Sequence, residues 1–84
     1  MNAGRELKVI RAKAGLTQAE LAERLGITRE HVSDIERGKS KGSIVIWLRI
    51  ADIAGIEGEE LTALLKSIYD KDLKEAFNQK GAQV

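Results

Sequence analysis

A chain of 84 residues with 43% hydrophobic content, 4% aromatics and no proline supports one small domain and leaves helix unobstructed as its secondary structure. The absence of cysteine excludes disulfides and thiolate metal sites. No apolar run approaches the roughly 20 residues of a membrane span and no signal-peptide pattern opens the chain, so the expected location is cytoplasmic. Net charge is +1, yet residues 1–42 carry +3 and residues 43–84 carry −2. That polarity suits an anionic partner for the first half.

The periodicity predicts a first helix from about Ala3 to Ala14, with Leu7, Ile10 and Ala14 inward and Gly15 as its stop. Thr17 followed three residues later by Glu20 is a capping box, in which hydroxyl and carboxylate satisfy orphan amides of a second helix. On that helix Ala19, Leu21, Ala22 and Leu25 share one face. Gly26 and Gly38 stand where helices end with positive φ, and between them Thr28 caps a third helix whose narrow apolar stripe is Val32 and Ile35. A loop, Gly38 to Gly42, leads to Ser43, the expected cap of a fourth helix over about Ile44–Ala54.

The fourth helix is apolar almost all round, so burial on more than one side is expected. Ile44, Trp47, Leu48 and Ala51 form a stripe assigned to the core. Ile46, Ile50 and Ile53 form a second stripe, which needs a fifth helix or a partner chain, and Arg49 and Asp52, near Val45, mark a polar edge. The fifth helix is expected from near Glu59, with acidic Glu59 and Glu60 favoured at its N-terminus and Leu61, Leu64, Leu65 and Ile68 inward. Beyond it Tyr69, Leu73, Ala76 and Phe77 lie on a rotated face, and Asp72 with Glu75 has capping-box spacing. A bend or a separate sixth helix is therefore predicted there.

On the third helix, Arg29, Glu30, Ser33, Asp34 and Arg37 face outward and His31 lies at the margin. The run Gln18-Ala19-Glu20-Leu21-Ala22, the turn Leu25-Gly26-Ile27 and the closing Ile35-Glu36-Arg37-Gly38-Lys39 together resemble the XRE-type helix-turn-helix family of phage repressors and Cro proteins. The resemblance runs from about Leu7 to Leu65. It implies an all-α, compact bundle of about five helices of the lambda-repressor-like kind. Residues 1–68 would form the DNA-binding domain, with the helix-turn-helix at 17–37 and the recognition helix at 28–37. Leu73 and Phe77 lie beyond that bundle, so the tail, 69–84, is expected to supply or brace a dimer interface.

In such a motif the N-terminal part of the recognition helix goes deepest into the major groove, which puts Thr28, Arg29 and Glu30 nearest the bases. Arg29 can bridge guanine O6 and N7; Glu30 and Asp34 can accept from cytosine N4 or orient Arg29 and Arg37. Both carboxylates also repel phosphate, which should weaken loose binding to random DNA more than binding to the right site. The resemblance assigns Gln18 to a phosphate, and the first-turn amides around Thr17 and Gln18 are expected to be open to one. Arg37, Lys39, Ser40 and Lys41 should grip the backbone, with His31 and Ser33 at the groove edge. The family often places a proline where Gly42 stands, so a looser loop is expected. It also pairs the positions of Arg11 and Glu36 in a partly buried ion pair, which removes Glu36 from the reading surface.

A lone histidine without cysteine is no metal site. Trp47 shares a stripe with Leu48 and Ala51 and reads as a core or interface anchor. No triad, phosphate loop or paired-carboxylate site stands out, so neither catalysis nor a cofactor is expected. The function that follows is sequence-specific transcriptional regulation by a homodimer on palindromic double-stranded operator DNA. Restriction–modification controller proteins, small phage repressors and antitoxins all fit, with the size and the lack of an extra domain favouring a controller. The rival is a protein-interaction module for a toxin or polymerase subunit, using the second face of the fourth helix and Leu73 with Phe77.

Overall fold

The computed structural model describes residues 3–82, with side chains described through Asp70. Five helices follow one another among the described residues: α1 (Ala3–Ala14), α2 (Gln18–Leu25), α3 (Arg29–Glu36), α4 (Ile44–Ala54) and α5 (Gly58–Ala82). The predicted caps form. Thr17 and Glu20 close a reciprocal box at the start of α2, Thr28 Oγ1 accepts from the His31 amide at 3.0 Å, and Ser43 Oγ accepts from the Ile46 amide at 3.2 Å.

Helix ends follow one rule. At the close of α2 the Gly26 amide bonds to the Glu23 carbonyl and the Ile27 amide to the Ala22 carbonyl, the paired pattern that a left-handed residue permits; Gly26 has φ 71°. The ends of α1 and α4 repeat it with Gly15-Leu16 and Gly55-Ile56. In each case the residue after the glycine is apolar and turns back onto the core. A glycine followed by leucine or isoleucine thus both stops a helix and sets the direction of the next.

α3 packs against α2 and α1, while α4 touches α1, α2 and α5. Trp47, Leu7, Leu21, Leu25, Ile35, Ile50 and Val32 are fully buried and form the centre. Ala14 and Ala19, expected inward, are exposed. The division of α4 also differs from expectation: its buried face is Ile46, Trp47, Ile50 and Ala51, with Ile53 half-buried, while Ile44, Val45 and Leu48 stay 54%, 57% and 44% exposed. Two non-local bonds accompany this rotation. Trp47 Nε1 donates to the Lys41 carbonyl at 2.6 Å, and Arg49 Nη1 donates to the Leu25 carbonyl at 2.9 Å.

Leu61, Leu64, Leu65 and Ile68 of α5 turn inward, two of them only in part. No break occurs at Asp72: α5 runs as a single helix of 25 residues. The side chains of Leu73, Ala76 and Phe77 and the Asp72–Glu75 pairing lie outside the described residues. Among the described residues no helix is long and apolar enough to cross a membrane.

One polar cluster ties three elements together. Glu36, the last residue of α3, has a side chain only 1% exposed. Its carboxylate accepts from Arg11 Nε at 2.7 Å, from Arg11 Nη2 at 3.1 Å and from Gln18 Nε2 at 3.1 Å. Arg11 Nη1 donates in addition to the Leu16 carbonyl at 3.0 Å. Around this junction α1 approaches very closely: a Cβ at Gly4 would lie 2.8 Å from the Ile35 carbonyl oxygen and closer still to that of Glu36. Glycine is therefore required there by contact, not by conformation.

Burial pushes the Glu36 carboxyl up, but hydrogen bonds from Arg11 and then Gln18 outweigh it, and the group titrates below its ordinary value of 4.5. Its contribution to stability is therefore full above that value and fades as the pH falls through it towards the lower folded value. Arg11 keeps 24% of its side-chain surface in water. Stranding it should thus cost near the lower end of the range for broken buried pairs, about 3 kcal/mol. Glu36→Gln is expected to lower the melting temperature at pH 7 by about 12 °C or more and to flatten the acid limb below 4.5. Thermal melts across pH check both; an unchanged melting temperature at pH 7 would show the pair to be idle.

Candidate nucleic-acid interface

Val32 and Ile35 face inward with no exposed surface, and Glu36 is pinned beneath them. The side of α3 left over carries Arg29, Glu30 and, past its end, Arg37, all exposed, with His31, Ser33 and Asp34 half-buried along its margin. α3 has eight residues, about 12 Å of helix, too short to persist alone. What fixes it is the Thr28 cap at one end, two apolar anchors in the middle and the Glu36 cluster at the other end. A Gly38 amide bond to the Ile35 carbonyl and a Lys39 amide bond to the Asp34 carbonyl, at 3.1 and 2.8 Å, then turn the chain away.

The predicted contact residues divide by what they already hold. Thr28 Oγ1 is engaged as the α3 cap. Gln18, half-buried, gives an amide hydrogen to Glu36, so it braces α3 whatever else it binds. At Thr17 one expectation is corrected, that of an open amide. The Thr17 hydroxyl accepts from the Glu20 amide at 3.1 Å and the Thr17 amide donates to Glu20 Oε1 at 2.9 Å, so that amide is not open to phosphate. By helix geometry the amides of Gln18 and Ala19 are those without an intrahelical acceptor. The Thr17 amide, with its hydroxyl and then Arg24, also holds the Glu20 carboxyl below its usual range. An ionised carboxylate thus stands beside the start of α2.

The loop after α3 brings Lys39, Ser40 and Lys41 next to the exposed flank. Far from loose, it is fastened on several sides. Ser40 Oγ accepts from the Gly42 amide at 3.1 Å, the Lys41 carbonyl accepts from Trp47, and the Gly42 carbonyl accepts from the Tyr69 hydroxyl at 3.2 Å. Gly42 has φ 76°, a left-handed value closed to proline. Lys41 Nζ stands 5.7 Å from the centroid of the Tyr69 ring.

Sequence reasoning missed Tyr69 as a support of this surface and Arg49 as the partner of the Leu25 carbonyl at the end of α2. The signal that was available is the polar tip on each long side chain: a Tyr or Trp on an apolar stripe needs a hydrogen-bond partner once buried. Chemically, the assembled flank offers guanidinium and carboxylate groups to base edges and ammonium groups to phosphates.

The helix-turn-helix domain family matches residues 3–64 of this chain. An uncharacterized HTH-type transcriptional regulator of Methanocaldococcus jannaschii is 38% identical over 67 residues, covering 80% of this chain and 94% of that protein. A second, from Methanothermobacter thermautotrophicus, is 45% identical over 47 residues, or 56% of this chain and 68% of the relative. The immunity repressor protein of Bacillus phage phi105 is 35% identical over 57 residues, 68% of this chain and 40% of the repressor. The fold, the capped helix pair and these similarities converge: the chain belongs to the XRE-type family of helix-turn-helix, DNA-binding transcription regulators.

Proposed function

We propose that this protein binds operator DNA as a homodimer, inserting the segment 28–37 of each copy into successive major grooves about 34 Å apart on a roughly palindromic site. The observation that carries the reading is the exposed flank of α3, held in register from behind by Val32, Ile35 and Glu36. Arg29 and Glu30 read bases. Thr28, His31, Ser33 and Asp34 line the groove. Thr17 (through its hydroxyl hydrogen and not its amide), Gln18, Arg37, Lys39, Ser40 and Lys41 set the protein on the backbone. Occupation of the operator regulates transcription; the relatives named as HTH-type transcriptional regulators and as an immunity repressor protein support this reading.

Residues 1–68 act as the DNA-binding unit and residues 69–84 as the dimerisation element. Support comes from the length of α5. It continues through Ala82, well past Ile68, where the last buried side chain of the described residues stands. The principal extents of 47 × 26 × 21 Å describe an elongated molecule. At about 1.5 Å per residue the segment after Asp70 adds about 18 Å of helix.

A second reading rests on Ile44, Val45 and Leu48, the apolar cluster that α4 exposes. In that reading the cluster docks another protein and DNA contact is incidental. Mobility shifts at low and moderate salt with the wild type and Arg29→Ala separate the two, because incidental contact disappears at moderate salt and does not depend on Arg29.

Site selection from a random duplex pool should return symmetric half-sites. Against the selected duplex, Arg29→Ala is expected to lose about 1–3 kcal/mol of discrimination per half-site relative to random DNA; an unchanged ratio would remove Arg29 from base reading. Truncation after Asp70 is expected to sediment as a monomer, and a truncated chain of unchanged oligomeric state would remove the tail from the interface.

A further inference from the structure

Tyr69 lies on α5, 27 residues from Gly42 in sequence. It packs half-buried against the edge of the core, yet its two functional parts both reach the α3–α4 loop. The hydroxyl donates to the Gly42 carbonyl at 3.2 Å, and the ring lies 5.7 Å from the Lys41 ammonium. Trp47 holds the preceding carbonyl, that of Lys41, from α4. Successive carbonyls of a loop that turns on a positive-φ glycine are thus held by aromatic side chains from different helices.

We propose that Tyr69 is a positioning residue for DNA binding, fixing the Gly42 peptide and steering the Lys41 side chain so that the loop meets a phosphate preorganised. This rests on the reading of Lys39, Ser40 and Lys41 as backbone contacts. The chemistry of the ring suits the task. Its face attracts one side of an ammonium electrostatically and, being neutral, cancels none of its positive charge. A lysine has three donors, and Lys41 remains exposed. A lysine steered in this way loses less freedom on binding than one that samples solvent. The hydroxyl bond meanwhile removes a rotation that the glycine would otherwise leave open.

The test is a double-mutant cycle in the full chain between Tyr69→Leu and Lys41→Ala. It is read as affinity for a short random-sequence duplex across a salt series, with Tyr69→Phe as the conservative variant. Lys41→Ala and Tyr69→Leu are each expected to weaken binding about fivefold, Lys41→Ala lowering the salt slope by about one and Tyr69→Leu shifting it the same way. The double variant is expected to bind no more weakly than Lys41→Ala alone. Tyr69→Phe, which keeps the ring, should recover most of the affinity. If Lys41→Ala loses affinity while Tyr69→Leu does not, or if the two losses multiply, the positioning role is overturned and the DNA-binding reading stands. If Lys41→Ala binds as the wild type does, the loop is not a phosphate grip and both the loop assignment and the Tyr69 proposal fail. Should Tyr69→Leu not fold, Tyr69→Met, which also lacks the ring, takes its place in the cycle, and a loss that persists in the Lys41→Ala background overturns the proposal.

Discussion

The arrangement of this protein depends on one buried carboxylate. Glu36 ends α3, and its two oxygens are met by Arg11 from α1 and Gln18 from α2, at 2.7 to 3.1 Å. Each of the first three helices contributes one group, so the cluster fixes their mutual placement where apolar packing alone would allow sliding. Hydrophobic contacts are non-directional; a forked guanidinium on a carboxylate is not. Removing Arg11 leaves a buried carboxylate without its counter-charge, removing Glu36 strands a guanidinium that is partly in water, and removing Gln18 costs the carboxylate one of its three hydrogen bonds. Close packing around the cluster, with α1 admitted against the end of α3 only because residue 4 is glycine, turns that bond geometry into a rigid angle between helices.

For the exposed flank of α3 the consequence is precision. A short helix gains little from its own hydrogen bonds, and its order must come from what lies behind it. Here the support is threefold: a side-chain cap, two buried aliphatic residues, and a charged end that is pinned. Gln18 joins the two halves of the motif, since it opens α2 and bonds to the end of α3. In the proposed complex a residue at the start of α2 that also braces α3 would couple backbone contact to base contact. The adjoining loop is supported in the same manner, by Trp47 and Tyr69 reaching in from α4 and α5.

Much of the fold was legible because its signals are local. Thr17 with Glu20, Thr28 and Ser43 announce helix starts through bonds that span three residues, and the glycines that follow α1, α2 and α4 announce their ends. The Arg11–Glu36 pair was legible only through family resemblance, because its partners lie 25 residues apart. α4 shows where periodicity fails. With apolar residues all round there is no polar face to orient the helix, and its true rotation comes with distant bonds made by Trp47 and Arg49. The expectation of an open Thr17 amide contradicted the capping box read from the same residues, since the box consumes that donor. Tyr69 was placed on a rotated tail face because its partner, the Gly42 carbonyl, cannot be found by counting along a helix. The continuity of α5 through Asp72 shows that capping-box spacing inside a helix-favouring run does not of itself start a new helix.

The surface proposed to meet DNA is the outward flank of α3, not the apolar cluster of α4. Amide chemical-shift mapping of the labelled chain during titration with a selected duplex tests this directly. Perturbations are predicted to gather at 17–18, 28–34 and 39–41, while Ile44, Val45 and Leu48 change little. Signals of α3 that stay unmoved at saturating duplex, or shifts confined to the exposed side of α4, would contradict it.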